Sequence, residues 1–177
     1  MRDKILVSLL FIVSAILISL SSIFPWWVMN VAEMTTGRSS WIHIYAWGLV
    51  HNASELRQFV MRYETPPLLM QVARVYLALL AVLAIISSIM IFKTPRNAWK
   101  PAIIAGVTYL LYTVGFLPLL QAGTSTAPRP IPLQGEKWEF VESYSVRITT
   151  YFDVGYYLSL ASAILLLVLG LITWRKF

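Results

Sequence analysis

Side chains that could perform catalysis or bind a metal are scarce in this chain of 177 residues. Cysteine is absent, which excludes disulfides, thiol catalysis, cysteine-ligated zinc and iron–sulfur clusters. The two histidines, His43 and His51, could join Glu33 or Glu55 around a surface metal ion, but their spacing matches no ligand pattern. No nucleophile elbow, P-loop or dinucleotide-binding glycine motif occurs. The sequence therefore predicts no catalytic residue, no metal and no cofactor, in a protein that is not an enzyme.

Arg74 and Asp153 are each the single charged residue of a long apolar segment. A charge inside a bilayer is costly unless it is paired or reaches the interface. We predict that the two side chains pair with each other or with polar groups of a small sheet near them. A proton or ion relay is a functional alternative, although no acidic, basic or histidine residue lies deeper. A further hypothesis, an enzyme acting on lipids or quinones, would need a polar cavity lined by Arg74, Asp153, Tyr109 and Tyr112.

The composition indicates a membrane protein. Hydrophobic residues make up 58% of the chain and charged residues 12%, against about a quarter charged in soluble domains. A helical crossing of the bilayer needs about 20 apolar residues, and the segments that meet this requirement are 5–24, 67–92, 101–121 and 151–173. The first resembles a signal peptide, but its length and the Pro25-Trp26-Trp27 that follows favour retention. The predicted fold class is a tetraspan, all-α four-helix transmembrane bundle, with residues 1–177 forming a single membrane domain.

The distribution of Lys and Arg predicts the orientation of these spans. The N-terminus, the 93–100 loop and the C-terminus must share one side of the membrane, and their basic residues are Arg2, Lys4, Lys93, Arg96, Lys100, Arg175 and Lys176. The longer segments 25–66 and 122–150 carry balanced charges. By the positive-inside rule, both termini are cytoplasmic and both longer segments are extracellular, in a multi-pass protein of the cell membrane. The net charge of +6 then reflects topology and attraction to membrane lipids, and nucleic acid is not an expected partner.

The first extracellular segment is predicted to begin with a β-hairpin. Residues 26–31 and 40–47 are rich in aromatic and branched side chains, and Gly37 supplies a turn between them. A short amphipathic helix is predicted over 53–63, where apolar residues recur at helical spacing. Alternation along the second strand places four residues on one face: Trp41, His43, Tyr45 and Trp47.

The second extracellular segment is predicted to complete the sheet. Prolines and hydroxyl residues over 122–132 favour irregular structure. Strands are predicted from 137 to about 140 and from 143 to 150. The packed side of the last strand is predicted to comprise Tyr144, Val146, Ile148 and Thr150. Both segments would thus contribute to one small extracellular antiparallel sheet.

Small and hydroxyl side chains recur at three- and four-residue steps in the spans, which favours a compact bundle. In the first span, the predicted packing stripe consists of Ser8, Ile12, Ala15, Ser19 and Ser22. Outside the spans, Asn52-Ala53-Ser54 matches the acceptor motif for N-glycosylation, in a segment predicted to be extracellular. Asn52 is therefore a candidate glycosylation site.

This organisation resembles that of the claudin and peripheral myelin protein superfamily of tetraspan membrane proteins. The likeness covers nearly the whole chain. Claudins carry a tryptophan shortly after the first span and later a Gly-Leu-Trp signature, and here Trp27 (or Trp26) is followed by Trp47-Gly48-Leu49. The sequence that ends at Arg74 is similar to the Gln-Ala-Ala-Arg at the start of the family's second span. Two features depart from the family: Val50 stands in place of the second signature tryptophan, and the extracellular cysteine pair is missing.

The resemblance implies an extracellular sheet over a left-handed four-helix bundle, with Arg74 bracing the sheet near Trp27. It also implies lateral self-association or service as an auxiliary subunit. The functional hypothesis is a non-enzymatic, claudin-like protein whose sheet mediates protein–protein contacts with itself or with another membrane protein. The alternative is an accessory subunit of a larger respiratory or transport complex. The structural residues under this hypothesis are Trp27, Trp47, Gly48, Leu49, Arg74 and Asp153.

Overall fold

Four long helices form the framework of the protein. A computed structural model describes residues 1–52, 66–126, 130–141 and 144–176. Within these ranges the helices are α1 (Arg2–Ile23), α2 (Pro67–Lys93), α3 (Trp99–Ser125) and α4 (Val154–Lys176). Each is long and apolar enough to cross a membrane, which agrees with a multi-pass helical bundle. The helix predicted over 53–63 lies outside the described residues.

A five-stranded antiparallel sheet lies at one end of the bundle. Its strands are β1 (Trp27–Glu33), β2 (Ser39–Tyr45), β3 (Gly48–His51), β4 (Gly135–Val141) and β5 (Tyr144–Phe152). They are arranged in the order β3-β2-β1-β5-β4, so the strand that follows α1 pairs with the strand that leads into α4. Gly37 lies in the β1–β2 turn with a φ of 71°, a conformation that glycine adopts without steric cost. The prediction that both connecting segments build one sheet is confirmed.

One face of the sheet packs on an apolar core. Trp27, Met29 and Val31 of β1 are buried there beside Ile42 of β2 and Leu120 of α3. The β5 residues Val146, Ile148 and Thr150 are buried too, as the alternation of that strand predicts. This core joins the sheet to the end of α3.

The helix boundaries differ from the predicted spans by up to four residues, and the end of α3 and the start of α4 lie next to the sheet. α3 extends to Ser125, past the predicted 121: its backbone hydrogen bonds continue as far as Thr126, whose N–H donates to the Ala122 carbonyl. α4 begins at Val154 and not at 151, because the two residues before Asp153 complete β5. Hydrophobicity alone does not separate a buried strand from the helix that it joins.

The helices pack in the order α2, α1, α4, α3. Between α1 and α2, the hydroxyls of Ser8 and Ser88 form a buried hydrogen bond of 2.7 Å. Between α1 and α3, the hydroxyls of Ser21 and Tyr109 are bonded. At Gly106 of α3, an added Cβ would lie 2.8 Å from Leu167 of α4. Small and hydroxyl residues therefore occupy the contacts, as expected for helices that associate in lipid.

The stripe predicted for α1 is wrong in part. Ser8 and Ala15 are buried, but Ile12 is 42% exposed. The buried face also includes Phe11 and Ile18, which are large and were not part of the predicted stripe. Large side chains fill the wider gaps between helices, and their position depends on the shape of the neighbouring helices.

The chain termini lie together at the end of the bundle opposite the sheet. Lys176 Nζ of α4 is 3.3 Å from Asp3 Oδ2 of α1. The rings of Trp99 at the start of α3 and Trp174 near the end of α4 are 6.2 Å apart. The basic residues counted in the sequence therefore cluster at one end, and the sheet lies at the other.

Candidate functional site

The face of the sheet opposite its core carries a row of aromatic rings. Ring centroids are 4.4 Å apart for Trp41 and His43, 6.3 Å for His43 and Tyr45, and 5.0 Å for Tyr45 and Trp47. The last pair is nearly parallel, with 14° between the ring planes. The prediction of a shared face is confirmed for Trp41, His43 and Tyr45. Trp47 lies in the turn after β2, outside the strand, where its ring stacks on that of Tyr45.

The row continues across the sheet to aromatic side chains on β4 and β5. Trp138, Phe140 and Tyr151 are 47%, 81% and 39% exposed. Strand register places them on the same face as His43, because directly paired residues in antiparallel strands project to the same side. We call this surface the aromatic face, defined by Trp41, His43, Tyr45, Trp138, Phe140 and Tyr151. Trp138 and Phe140 were not predicted to lie on this face, although their alternation with Lys137 and Glu139 in the sequence is a signal for it.

The aromatic face also carries an ion pair. Arg147 Nη2 of β5 lies 2.8 Å from Glu136 Oε2 of β4, and the hydrogen bond from Arg147 lowers the pKa of Glu136. The guanidinium carbon of Arg147 also lies 5.9 Å from the ring centroid of Trp138. Both charges are largely exposed, so the pair orients Arg147 more than it stabilises the sheet.

The two histidines project to opposite faces of the sheet. His43 is paired with Val50 of β3, whereas His51 is paired with Ile42, one register position away. A metal ion bound by both is therefore excluded by the strand geometry. Burial lowers the pKa of His43, and the negative charge of Asp153 partly opposes this shift.

The sheet is attached to α2 through Arg74 and Trp47. The guanidinium carbon of Arg74 lies 4.1 Å from the ring centroid of Trp47, which is a cation–π contact. The Trp47 indole N–H donates a hydrogen bond of 2.8 Å to the carbonyl of Ser22, at the end of α1. The ring of Trp47 is thus held by α1 on one side and contacted by α2 on the other.

The residues after Trp47 fit the same junction. Gly48 has a φ of 154°, and an added Cβ would lie 2.9 Å from Met70 Cγ of α2. A larger residue would therefore be strained and would displace Met70. Leu49 packs against the apolar core of the sheet. The Trp47-Gly48-Leu49 sequence accordingly marks the closest approach of the sheet to α2.

The two adjacent tryptophans after α1 have different surroundings. Trp27 is buried in the sheet core, and its indole N–H donates to the carbonyl of Leu133 over 2.7 Å. Trp26 is fully buried at the top of the bundle, with edge-on contacts to the rings of Tyr112, Phe116 and Tyr156. Arg74 contacts Trp47, and the partner implied by the family resemblance, Trp27, is buried in the sheet core.

Arg74 and Asp153 form no ion pair with each other in the described structure. Asp153 lies between β5 and α4, and its Oδ1 accepts a hydrogen bond of 2.7 Å from Val154 N–H. Its own N–H donates to the carbonyl of Trp26. The carboxylate therefore pairs with a free N–H at the start of α4, where the helix dipole favours a negative charge. The polar group that stabilises the charge of the Asp153 carboxylate is therefore a backbone N–H.

The four residues considered for a polar cavity do not converge. Tyr109 is fully buried and bonded to Ser21, whereas the Tyr112 hydroxyl donates to the carbonyl of Ala46. Arg74 and Asp153 have the separate partners described above. Each polar group thus serves a different contact between elements.

Asn52 follows β3 and is exposed. Its side-chain Oδ1 accepts a hydrogen bond of 2.7 Å from Trp41 N–H, which continues the pairing between β3 and β2. The remaining residues of the acceptor motif, 53–54, lie outside the described residues. Glycosylation of Asn52 stays a prediction.

Comparison with models of known protein families and with curated protein sequences finds no match to this chain.

Proposed function

We propose that this chain is a non-enzymatic, claudin-like protein of the cell membrane that binds copies of itself or another membrane protein through its sheet. The observation that carries the proposal is the aromatic face. Exposed aromatic side chains and arginine are enriched in the centres of protein interfaces, where they contribute most of the binding energy. Here Phe140 is 81% exposed and lies on the same face of the sheet as Trp138 and Arg147.

The proposed topology places the sheet outside the cell and both termini in the cytoplasm. It rests on the positive-inside rule, applied to a bundle whose basic ends lie opposite the sheet. The same arrangement supports the resemblance to claudins, because a sheet built from two extracellular segments over four spans is what that resemblance implies. In place of the family's cysteine pair, packing of Trp27 and its neighbours would hold the sheet together.

Single-cysteine variants test the topology directly, since the natural chain contains no cysteine. Phe140→Cys reports on the aromatic face, and Asn97→Cys reports on the opposite end of the bundle. A membrane-impermeant maleimide applied to intact cells should label the first variant and should label the second only after permeabilisation. Labelling of Asn97→Cys alone in intact cells would reverse the proposed topology.

Photo-crosslinking in native membranes tests the function. A photoreactive phenylalanine analogue at position 140 should capture a second copy, seen at twice the monomer mass, or one constant membrane protein. The same analogue at position 97 is the matched control, because Asn97 is also exposed but is remote from the sheet. If position 140 yields only monomer in native membranes, the proposal is refuted.

The accessory-subunit alternative is favoured by a different surface. α3 carries an apolar groove of about 260 Å³ beside Gly115, where an added Cβ would have no neighbour within 4 Å in the part of the chain that the structure describes. Glycine at such a position allows a second helix to approach closely. Under this alternative, Gly115→Leu should abolish co-purification with a larger enzyme or transporter, whereas variants of the aromatic face should not.

A further inference from the structure

A lateral groove lies where α1, α2 and the β2–β3 turn meet. Its volume is about 600 Å³, which falls within the range of small-molecule sites. Its walls are mainly apolar side chains of the two helices, including Ile18, Ile23, Leu77, Ala78 and Ala81. Arg74 and Trp47 lie at its sheet end.

The groove extends along the membrane-spanning part of the helices. Ala78 and Ala81 follow Arg74 by about one and two turns of α2, or about 6 and 10 Å along the helix axis. Both are small, which leaves room between α2 and Ile18 of α1. A ligand in this groove would therefore have a long apolar part within the hydrocarbon and a polar part at the level of Arg74.

Several polar groups of the groove are already used as donors. The hydroxyl of Ser19 donates to the Ala15 carbonyl over 3.0 Å, and that of Ser22 donates to the Ser19 carbonyl over 2.7 Å. The Trp47 indole donates to Ser22. These groups cannot donate to a ligand at the same time. Among the described residues of the groove, the Tyr45 hydroxyl and the Arg74 guanidinium are left to donate, and of these Arg74 carries the charge.

The charge of Arg74 predicts the sign of the ligand. The contact with Trp47 holds the guanidinium but leaves its positive charge in place, because the indole ring is neutral. Arginine binds phosphate groups through several N–H donors at once. A free phosphate could pair with Arg74 but could not bury the apolar walls of the groove. A phospholipid can do both, because it carries a phosphate and acyl chains.

We propose that this groove is a binding site for one anionic phospholipid, whose phosphate pairs with Arg74 and whose acyl chain lies along α1 and α2. The site goes beyond the proposed function, because neither the aromatic face nor a protein partner takes part in it. It also differs from the general attraction of the basic termini for lipids, since it lies at the sheet end of the bundle.

Native mass spectrometry of the delipidated full-length protein tests this site. The probes are dioleoylphosphatidylglycerol and dioleoylphosphatidylcholine, titrated separately. Both lipids carry a phosphate, but the choline cation of phosphatidylcholine lies beside it and repels the Arg74 guanidinium. The wild-type protein should therefore bind the first phosphatidylglycerol at least tenfold more tightly than phosphatidylcholine, about the value of one hydrogen-bonded charge. Arg74→Gln should lose this preference, and Arg74→Lys should keep most of it.

Two further variants distinguish the contribution of the groove to lipid binding from that of the Arg74 charge. Ala78→Phe fills the groove at an exposed position and leaves Arg74 unchanged, so it should weaken binding of both lipids. Arg147→Gln removes the same charge from the same end of the protein, away from the groove, and should bind like the wild type. The proposal is overturned if the wild type does not distinguish the two lipids, or if Arg74→Gln or Ala78→Phe binds phosphatidylglycerol as tightly as the wild type. Binding by Ala78→Phe decides the question even if Arg74→Gln does not fold.

Discussion

Gly155 and Gly115 are both helical glycines, yet we expect the same substitution to have opposite effects on them. At Gly155, near the start of α4, an added Cβ would lie 2.6 Å from the carbonyl oxygen of Pro25 and closer still to that of Phe24. Gly155 N–H also donates to the Pro25 carbonyl over 3.0 Å, so the two segments cannot separate without losing this bond. At Gly115 of α3, the added atom would meet none of the described residues within 4 Å.

The expected magnitudes follow from these distances. Extra methyl groups in packed sites cost about 1–3 kcal/mol, and the rigid carbonyls beside Gly155 favour the upper value. The higher helix propensity of alanine offsets at most about 1 kcal/mol of this cost. Gly155→Ala should therefore lower the free energy of unfolding by about 2 kcal/mol. For a protein of this size, that corresponds to a melting temperature lower by about 4–8 °C. Gly115→Ala should gain up to about 1 kcal/mol, or about 2–4 °C.

Thermal unfolding in one detergent, followed by circular dichroism, measures both variants against the wild type. The Gly115→Ala variant is the control for any general effect of alanine in these helices. A melting temperature of Gly155→Ala equal to or above that of the wild type would refute the close approach of α4 to the end of α1. A loss of similar size in both variants would also do so.

Three further results are expected. Arg74→Ala should lower the melting temperature of the detergent-solubilised protein by an amount equivalent to about 0.5–2 kcal/mol, the range of cation–π contacts, and an unchanged value would remove its bracing role at Trp47. Tyr109→Phe should cost about 1 kcal/mol because it removes the buried bond to Ser21, and a thermal shift of the opposite sign would contradict this contact. Since the pKa of His43 is lowered by burial, the unfolded chain binds a proton more readily, so stability should fall as the pH drops below about 6.5. Melting temperatures at pH 7.5 and 5.5 should show this loss in the wild type and a smaller loss in His43→Gln; an equal loss in both would assign the effect to other groups.

Hydrophobicity and alternation along the chain predicted the elements of this fold. The four spans follow from runs of apolar residues, and the shared face of Trp41, His43 and Tyr45 follows from the two-residue period of a strand. Both signals are local, so they can be recognised in the sequence without knowing which residues are neighbours in the fold. The end of α3 was harder to predict, because the glycine and hydroxyl residues over 123–126 are typical of loops, yet the helix continues to Ser125.

The partners of individual side chains could not be read from local patterns. Arg74 was expected to pair with Asp153 or with polar groups of the sheet, and the family resemblance placed it near Trp27. It contacts the ring of Trp47 instead. The charge of Asp153 is stabilised by a backbone N–H of the helix that it precedes. A charged residue near a span end has several ways to lower its energy, and the choice among them depends on which groups the fold brings within reach.

By itself, the sequence determined that this chain forms four membrane-length helices and a small sheet, because apolar length and alternation are properties of short stretches. Only the tertiary structure decided that β1 pairs with β5, which side chains form the aromatic face, and that Gly155 admits no side chain. These features depend on contacts between residues far apart in the chain, and their geometry is set by packing across the whole fold.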